Sequence, residues 1–144
     1  MNNQRGFTIV ELLIVIVVIG ILAAIVIVAY NGIQTRARDT SRDNAIATLK
    51  KTIEVYKTLN GSYPPACSAG DNQGCSTSSL DAYLSPYASK IPNDPQYPTK
   101  TFSYVRGTPA SDSYGIYVQY ETKDTCKTGA NVNVGWWGNT VPVC

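Results

Sequence analysis

One carboxylate stands at the start of the most apolar stretch of this 144-residue chain. Glu11 follows Phe7-Thr8-Ile9-Val10 and precedes Leu12 to Ala29, which runs LLIVIVVIGILAAIVIVA without a charge. An ionised acid near a bilayer core costs roughly 2.5–3.5 kcal/mol, and acids placed there are usually functional and paired. No Lys or Arg lies between Gly6 and Tyr30. The chemistry on offer at Glu11 is therefore an ion pair whose cation comes from elsewhere.

The other reactive residues give less. The chain has no His, which removes Ser-His-Asp and Cys-His catalysis and His-ligated metals. No Gly-rich phosphate loop occurs, and the acids are scattered. These residues predict no enzyme, no cofactor and no resident metal. The four cysteines are Cys67, Cys75, Cys126 and Cys144, at spacings that match neither zinc pairs nor a redox CxxC motif. An even number beyond an apolar segment predicts disulfides in an oxidising compartment. Three pairings are open, and the sequence-local one, Cys67–Cys75 with Cys126–Cys144, is the expected one. Trp136-Trp137 and ten Tyr offer a stacking surface for glycans or single-stranded DNA, against a plainer role in sheet and subunit packing. A nucleic-acid site is unsupported, because Arg36, Arg38 and Arg42 sit close to the apolar segment rather than beside the tryptophans.

These residues need elements to position them. Leu12–Ala29 is long enough to cross a membrane as a helix, which takes about 20 apolar residues. Helical periodicity continues through Ile33, Ala37, Ile46, Leu49, Ile53 and Tyr56, one apolar stripe. Arg38, Asp39, Arg42, Asp43, Lys50 and Lys51 fall mostly on other faces and read as a solvated side with local ion pairs. Asn60-Gly61 and Pro64-Pro65 stop the pattern; Asn60-Gly61-Ser62 also fits a glycosylation acceptor but reads mainly as this stop. One helix over about 7–59 results. Ser78 to Tyr87 predicts a short helix with Ser78 or Ser79 as its cap. Period-two alternation at Phe102/Tyr104, at Tyr114–Tyr120 and at Val132/Val134/Trp136 predicts antiparallel strands. The fold class is α+β, with the sheet covering Leu49, Ile53 and Tyr56, and with Val141–Cys144 a tail stapled back through Cys144.

Gly6-Phe7-Thr8-Ile9-Val10-Glu11-Leu12-Leu13-Ile14-Val15-Ile16 strongly resembles the N-terminus of type IV pilins and of the related pseudopilins of type II secretion. The resemblance implies a leader, residues 1–6, removed by a prepilin peptidase after Gly6. It implies N-methylation of Phe7, and pairing of Glu11 with the terminal amine of a neighbouring subunit. It implies a membrane and assembly helix at 7–30 and a periplasmic or extracellular head at 31–144. The Cys126–Cys144 pair resembles the C-terminal disulfide loop of many type IV pilins. Gly61-Ser62-Tyr63-Pro64 with Pro92-Asn93-Asp94-Pro95 is similar to a pattern of major pseudopilins, with Gln96-Tyr97 where those have Trp-Gly. Some pseudopilins bind calcium near the region of Asp112, Ser113 and Asp124; these lack an alternating acidic loop and read as solvated turns. Gly20 lies mid-span, and Val28 stands where many pilins have a Pro.

The implied function is a filament subunit. It starts as a single-pass cytoplasmic membrane protein and ends in an extracellular polymer of itself, working in adhesion, motility or DNA uptake. Its partners are the peptidase and an assembly platform with its ATPase. The alternatives are a pseudopilin of a secretion or competence system, and a minor pilin acting as adhesin or DNA receptor. Three arginines beyond the span, against Arg5 before it, argue for the opposite orientation by the positive-inside rule. The cysteines and the resemblance place the head outside.

Overall fold

A computed structural model describes residues 8–66 and 70–144, apart from the side chain of Val28. The chain forms two compact units, one ending at Arg36 and one spanning Ala37–Cys144. Gly6, Phe7 and Cys67 lie outside the described residues.

In the first unit, helix α1 (Ile9–Asn60) begins one residue after Thr8. Every described side chain from Thr8 to Ile27 is exposed. By length and composition this helix can cross a membrane. Leaving so much apolar surface in water is unfavourable.

In the second unit α1 turns one face into a core. Leu49 and Ile53 are fully buried there, with Ala45 and Ile46 beside them. Ile33 is 65% exposed and Ala37 is exposed, so the expected stripe does not reach the core at its start. Asp39 and Arg42 take those places on the buried face. Gly61 ends α1 as expected, with φ of +79° and its N–H donated to Lys57 O at 2.8 Å.

The sheet is an antiparallel meander of β1 (Cys75–Ser76), β2 (Ser103–Arg106), β3 (Tyr114–Val118) and β4 (Cys126–Ala130), in that spatial order. Register pairs Tyr104 with Ile116 and Val105 with Gly115. Tyr104, Tyr114, Ile116 and Val118 thus face the helix together with Phe102, as the alternation requires. Burying each such side chain contributes about 1.5–3 kcal/mol. A 3-10 turn (Thr77–Leu80) and helix α2 (Asp81–Leu84) add Leu80 and Leu84 to the core. The cap of that turn is Ser76, whose side chain accepts from the Ser78 N–H, rather than Ser78 or Ser79.

The last strand is displaced from its expected place. Val132, Val134 and Trp136 alternate, yet the chain there is turned, and β4 lies upstream in Cys-Lys-Thr-Gly-Ala. Lys127 explains the difference. Its side chain is on the outer face, and the residue is 1% exposed. Its ammonium donates to the carbonyls of Val134 at 2.6 Å, Trp136 at 3.0 Å and Gly138 at 3.4 Å. A buried ammonium needs such acceptors, and collecting them folds 133–138 over the sheet. Asn131 and Trp137, at φ of +47° and +56°, make the bends.

The two indoles lie on the sheet where it has no side chain. A Cβ on Gly115 would stand 2.9 Å from Trp136 Cε3 and 3.1 Å from Trp137 Cζ3. Trp136 is buried and donates to Asn72 Oδ1 at 3.2 Å, while Trp137 is half-buried and stacks on Tyr117 at 5.5 Å. One ring is core and one is partly surface, as expected, though the cause is a turn and not a strand. Gly115→Val is expected to lower head stability by about 1–3 kcal/mol through overpacking and to shift tryptophan emission. Gly20→Ala, whose new Cβ meets nothing within 4 Å, should leave the head's thermal midpoint unchanged. Thermal melts followed by tryptophan fluorescence check both.

Candidate functional site

Thr8 and Glu11 close a reciprocal capping box. The Glu11 N–H donates to Thr8 Oγ1 at 3.2 Å, and Glu11 Oε2 accepts from the Thr8 N–H and from Thr8 Oγ1, both at 2.8 Å. Thr8 is the N-cap and Glu11 the third helical residue, the spacing at which such a box forms. The negative side chain also meets the positive end of the helix dipole. Thr-x-x-Glu before an apolar run is readable in the sequence as this motif, and the reading above missed it. Both accepted bonds fall on Oε2. Among the described residues no hydrogen bond to Oε1 is found, and a carboxylate has room for about four donors. The site therefore retains capacity for a cation.

Of the charges expected on a solvated face, Asp43 and Lys51 are exposed and Arg38 and Lys50 half-buried, but Asp39 and Arg42 are buried. Arg42 is 0% exposed and Asp39 2%. Arg42 spends all five N–H donors. Nε and Nη2 grip Asp94 at 2.8 and 3.2 Å, Nη1 reaches Asp39 at 2.7 Å and Glu121 at 2.8 Å, and Nη2 reaches Gln96 at 2.8 Å. Arg38 holds Glu121 through two bonds of 2.8 and 2.6 Å. Asp39 also accepts the N–H groups of Glu121 and Thr122 and the Thr122 hydroxyl. Beside it, Asp43 accepts from Tyr120 at 2.6 Å and Lys123 at 2.5 Å. Residues at 38, 39, 42 and 43 of α1 thus tie down the segment after β3, while Arg42 ties down 94–96.

The spacing in Pro92-Asn93-Asp94-Pro95 acquires a reason here. Asp94 Oδ1 accepts the Gln96 N–H at 2.8 Å, and the Tyr97 N–H donates to Asp94 O at 2.9 Å. Pro95 is the second residue of that turn, where its fixed φ is favourable. The turn presents Asp94 to Arg42. Hydrogen bonds to Arg38, against the burial that opposes ionisation, and to Arg42 hold the Glu121 carboxyl at about 2. Burial works against ionised Asp39, but bonds from Thr122, from two main-chain N–H groups and from Arg42 outweigh it and depress its pKa. Arg42 is raised, chiefly by Asp94.

Cys126 and Cys144 are joined by a disulfide, with Cα atoms 5.2 Å apart. Cys75 begins β1, and its expected pairing with Cys67 lies outside the described residues. Asp112 and Ser113 precede β3 and Asp124 precedes β4, so the strand separates them. Asp112 pairs with Lys57 at 2.5 Å.

Three comparisons bear on this arrangement. A family model described as the prokaryotic N-terminal methylation motif matches residues 1–27. The chain is 31% identical over 103 residues to the type II secretion system core protein G of Escherichia coli (strain K12), across 65% of this chain and 68% of that protein. It is 43% identical over 55 residues to the type IV major alpha-pilin of Moraxella bovis, across 38% of this chain and 35% of that one. It is also 43% identical over 63 residues to the type IV wide pilus major component PilA4 of Thermus thermophilus, across 44% and 48%. No solved structure gives a significant match.

Arg42→Met takes the guanidinium from Asp39 and Asp94 and leaves Glu121 with Arg38 alone, and the head is expected to lose about 3–5 kcal/mol, read by denaturant titration. Acid should act on the same cluster. The folded pKa of Glu121 lies below its unfolded value of about 4.3, so its stabilisation is complete above that pH. It is lost as pH falls through about 2. The thermal midpoint should therefore drop between those limits, and the drop should shrink in Glu121→Gln.

Proposed function

This chain belongs to the family of type IV pilins and type II secretion pseudopilins, and from that premise we propose how it is processed and assembled. It is a structural subunit. It begins as a precursor held in the cytoplasmic membrane by Leu12–Ala29, is cut after Gly6, and is N-methylated at Phe7. A prepilin peptidase and an ATPase-driven platform act on it, and the product is a filament of packed α1 helices outside the membrane.

The observation that carries this reading is the N-terminal end of α1. A carboxylate stands there beside an apolar helix whose described side chains from Thr8 to Ile27 are all exposed. Burial between helices suits the apolar side chains and penalises an unpaired acid. The capping box uses Oε2. A neighbour's Phe7 amine, created by cleavage, supplies the cation at Oε1. Only one axial register brings the two together, so the pair selects register as a polar residue does in a coiled coil.

A second reading, a pseudopilin in a secretion machine, is favoured by the extent of one similarity. The protein G match covers 103 residues, more than α1 can hold, and so includes head sequence. Electron microscopy separates the two, since a pilin gives long surface filaments.

Two outcomes are expected. Mass spectrometry of the mature chain finds N-methyl-Phe7 at its start, and filaments that retain Met1 would sink the processing step. Glu11→Ala keeps normal membrane levels and head stability, because a costly charge has gone. It loses most filament yield, because a neighbour's amine is left buried and unpaired. Normal filaments from that variant would remove Glu11 from assembly.

A further inference from the structure

Val141–Cys144 lies alongside β4. The Lys127 N–H donates to Pro142 O at 2.9 Å, the Cys144 N–H donates to Lys127 O at 3.0 Å, and Lys127 and Val143 form a parallel bridge. β4 is the outermost strand on that side. The tail thus covers an edge whose free N–H and C=O groups would otherwise recruit another strand. Burial hardly holds it there. Val141 is half-buried, the last three residues are exposed, and Val143 is 59% exposed. The covalent hold is the Cys126–Cys144 bond.

The opposite edge is different. β1 has two residues, and flanking bonds from the Asn72 N–H to Arg106 O and from the Thr77 N–H to Phe102 O also cover β2. The edge that depends on a removable segment is therefore that of β4.

We propose that the Cys126–Cys144 disulfide is a redox-dependent clasp on the β4 edge, and that the opened edge accepts the tail of a second copy of this chain. Reduction by a dithiol breaks the S–S bond. Two electrons and two protons pass to Cys126 and Cys144 as thiols, and the dithiol leaves as its own disulfide. The freed tail turns away from Asn139-Thr140, which already lies in a turn. The occupant is identified by fit. Pro142 O and the Cys144 N–H already match Lys127, and a second copy offers the same groups. Exchange is reciprocal, so it closes as a two-fold pair. Reoxidation by oxidised glutathione joins Cys126 of one copy to Cys144 of the other, each new bond releasing two molecules of reduced glutathione.

The test mixes equal amounts of full-length Cys126→Ser and Cys144→Ser chains in detergent micelles with oxidised glutathione. The expected product is a covalent heterodimer whose non-reducing peptide map shows Cys126 linked to Cys144. Absence of that peptide, or heterodimers joined through Cys67 or Cys75 alone, overturns the proposal. Hydrogen exchange on the wild-type chain, diluted until it is monomeric so that no second tail can refill the edge, gives a readout independent of these variants. Reduction should speed exchange at the Lys127 amide about tenfold or more while the β2–β3 amides keep their protection. A Lys127 amide that stays protected shows that the tail needs no clasp. Core amides that all open together show that the bond holds the whole head, and either result contradicts the proposal.

Discussion

Arg42 is the constraint on which the head depends. A guanidinium cannot shed its proton, so once buried it must be met by acids and donate every N–H. It does so with side chains from three places: Asp39 one turn back on α1, Asp94 in a proline-set turn, and Glu121 just after β3. The loop between α2 and β2 also sets Ile91 and Phe102 into the apolar core, and the connection between β3 and β4 packs Tyr120 against it. The apolar core of Leu49, Ile53, Tyr104 and Ile116 supplies most of the burial but is tolerant of direction. The charge cluster is not, because each bond has a length and an angle to satisfy.

The same cluster bears on the arginines that trouble the orientation. Arg38 and Arg42 are ion-paired with Glu121, Asp94 and Asp39 in the folded head. The positive-inside rule counts basic residues in loops as they meet the bilayer. Once the head has folded, two of the three arginines are spoken for by acids of the head itself. At the other end of the chain the logic is similar in kind. Glu11 is satisfied on one oxygen by Thr8, and among the described residues no hydrogen bond to the other is found.

The sequence made the long helix, its stop at Gly61 and strands β2 and β3 legible, because periodicity and turn residues speak directly to local backbone. It made the lone carboxylate legible because a charge in an apolar run has few explanations. The buried role of Asp39 and Arg42 was hidden. Helical spacing says which side chains share a face, but nothing local says that a charged face meets Asp94 and Glu121 from distant segments. β4 was hidden for a related reason. Cys-Lys-Thr-Gly-Ala lacks apolar alternation because Lys127 and Gly129 face the folded-back tryptophan loop, while the alternating valines downstream bend around the Lys127 ammonium. The capping box is written in the sequence as Thr8-x-x-Glu11, the spacing of an N-cap and its third helical residue.

In the proposed filament Glu11 serves a neighbouring subunit as well as its own helix start. Electron cryo-microscopy of filaments assembled from the mature chain tests this at the atoms concerned. The expected result is a Phe7 amine of an adjoining subunit within about 2.7–3.2 Å of the Glu11 carboxylate, with the Thr8 bonds kept. A filament in which Glu11 meets only its own Thr8, with every Phe7 amine held elsewhere, would contradict it.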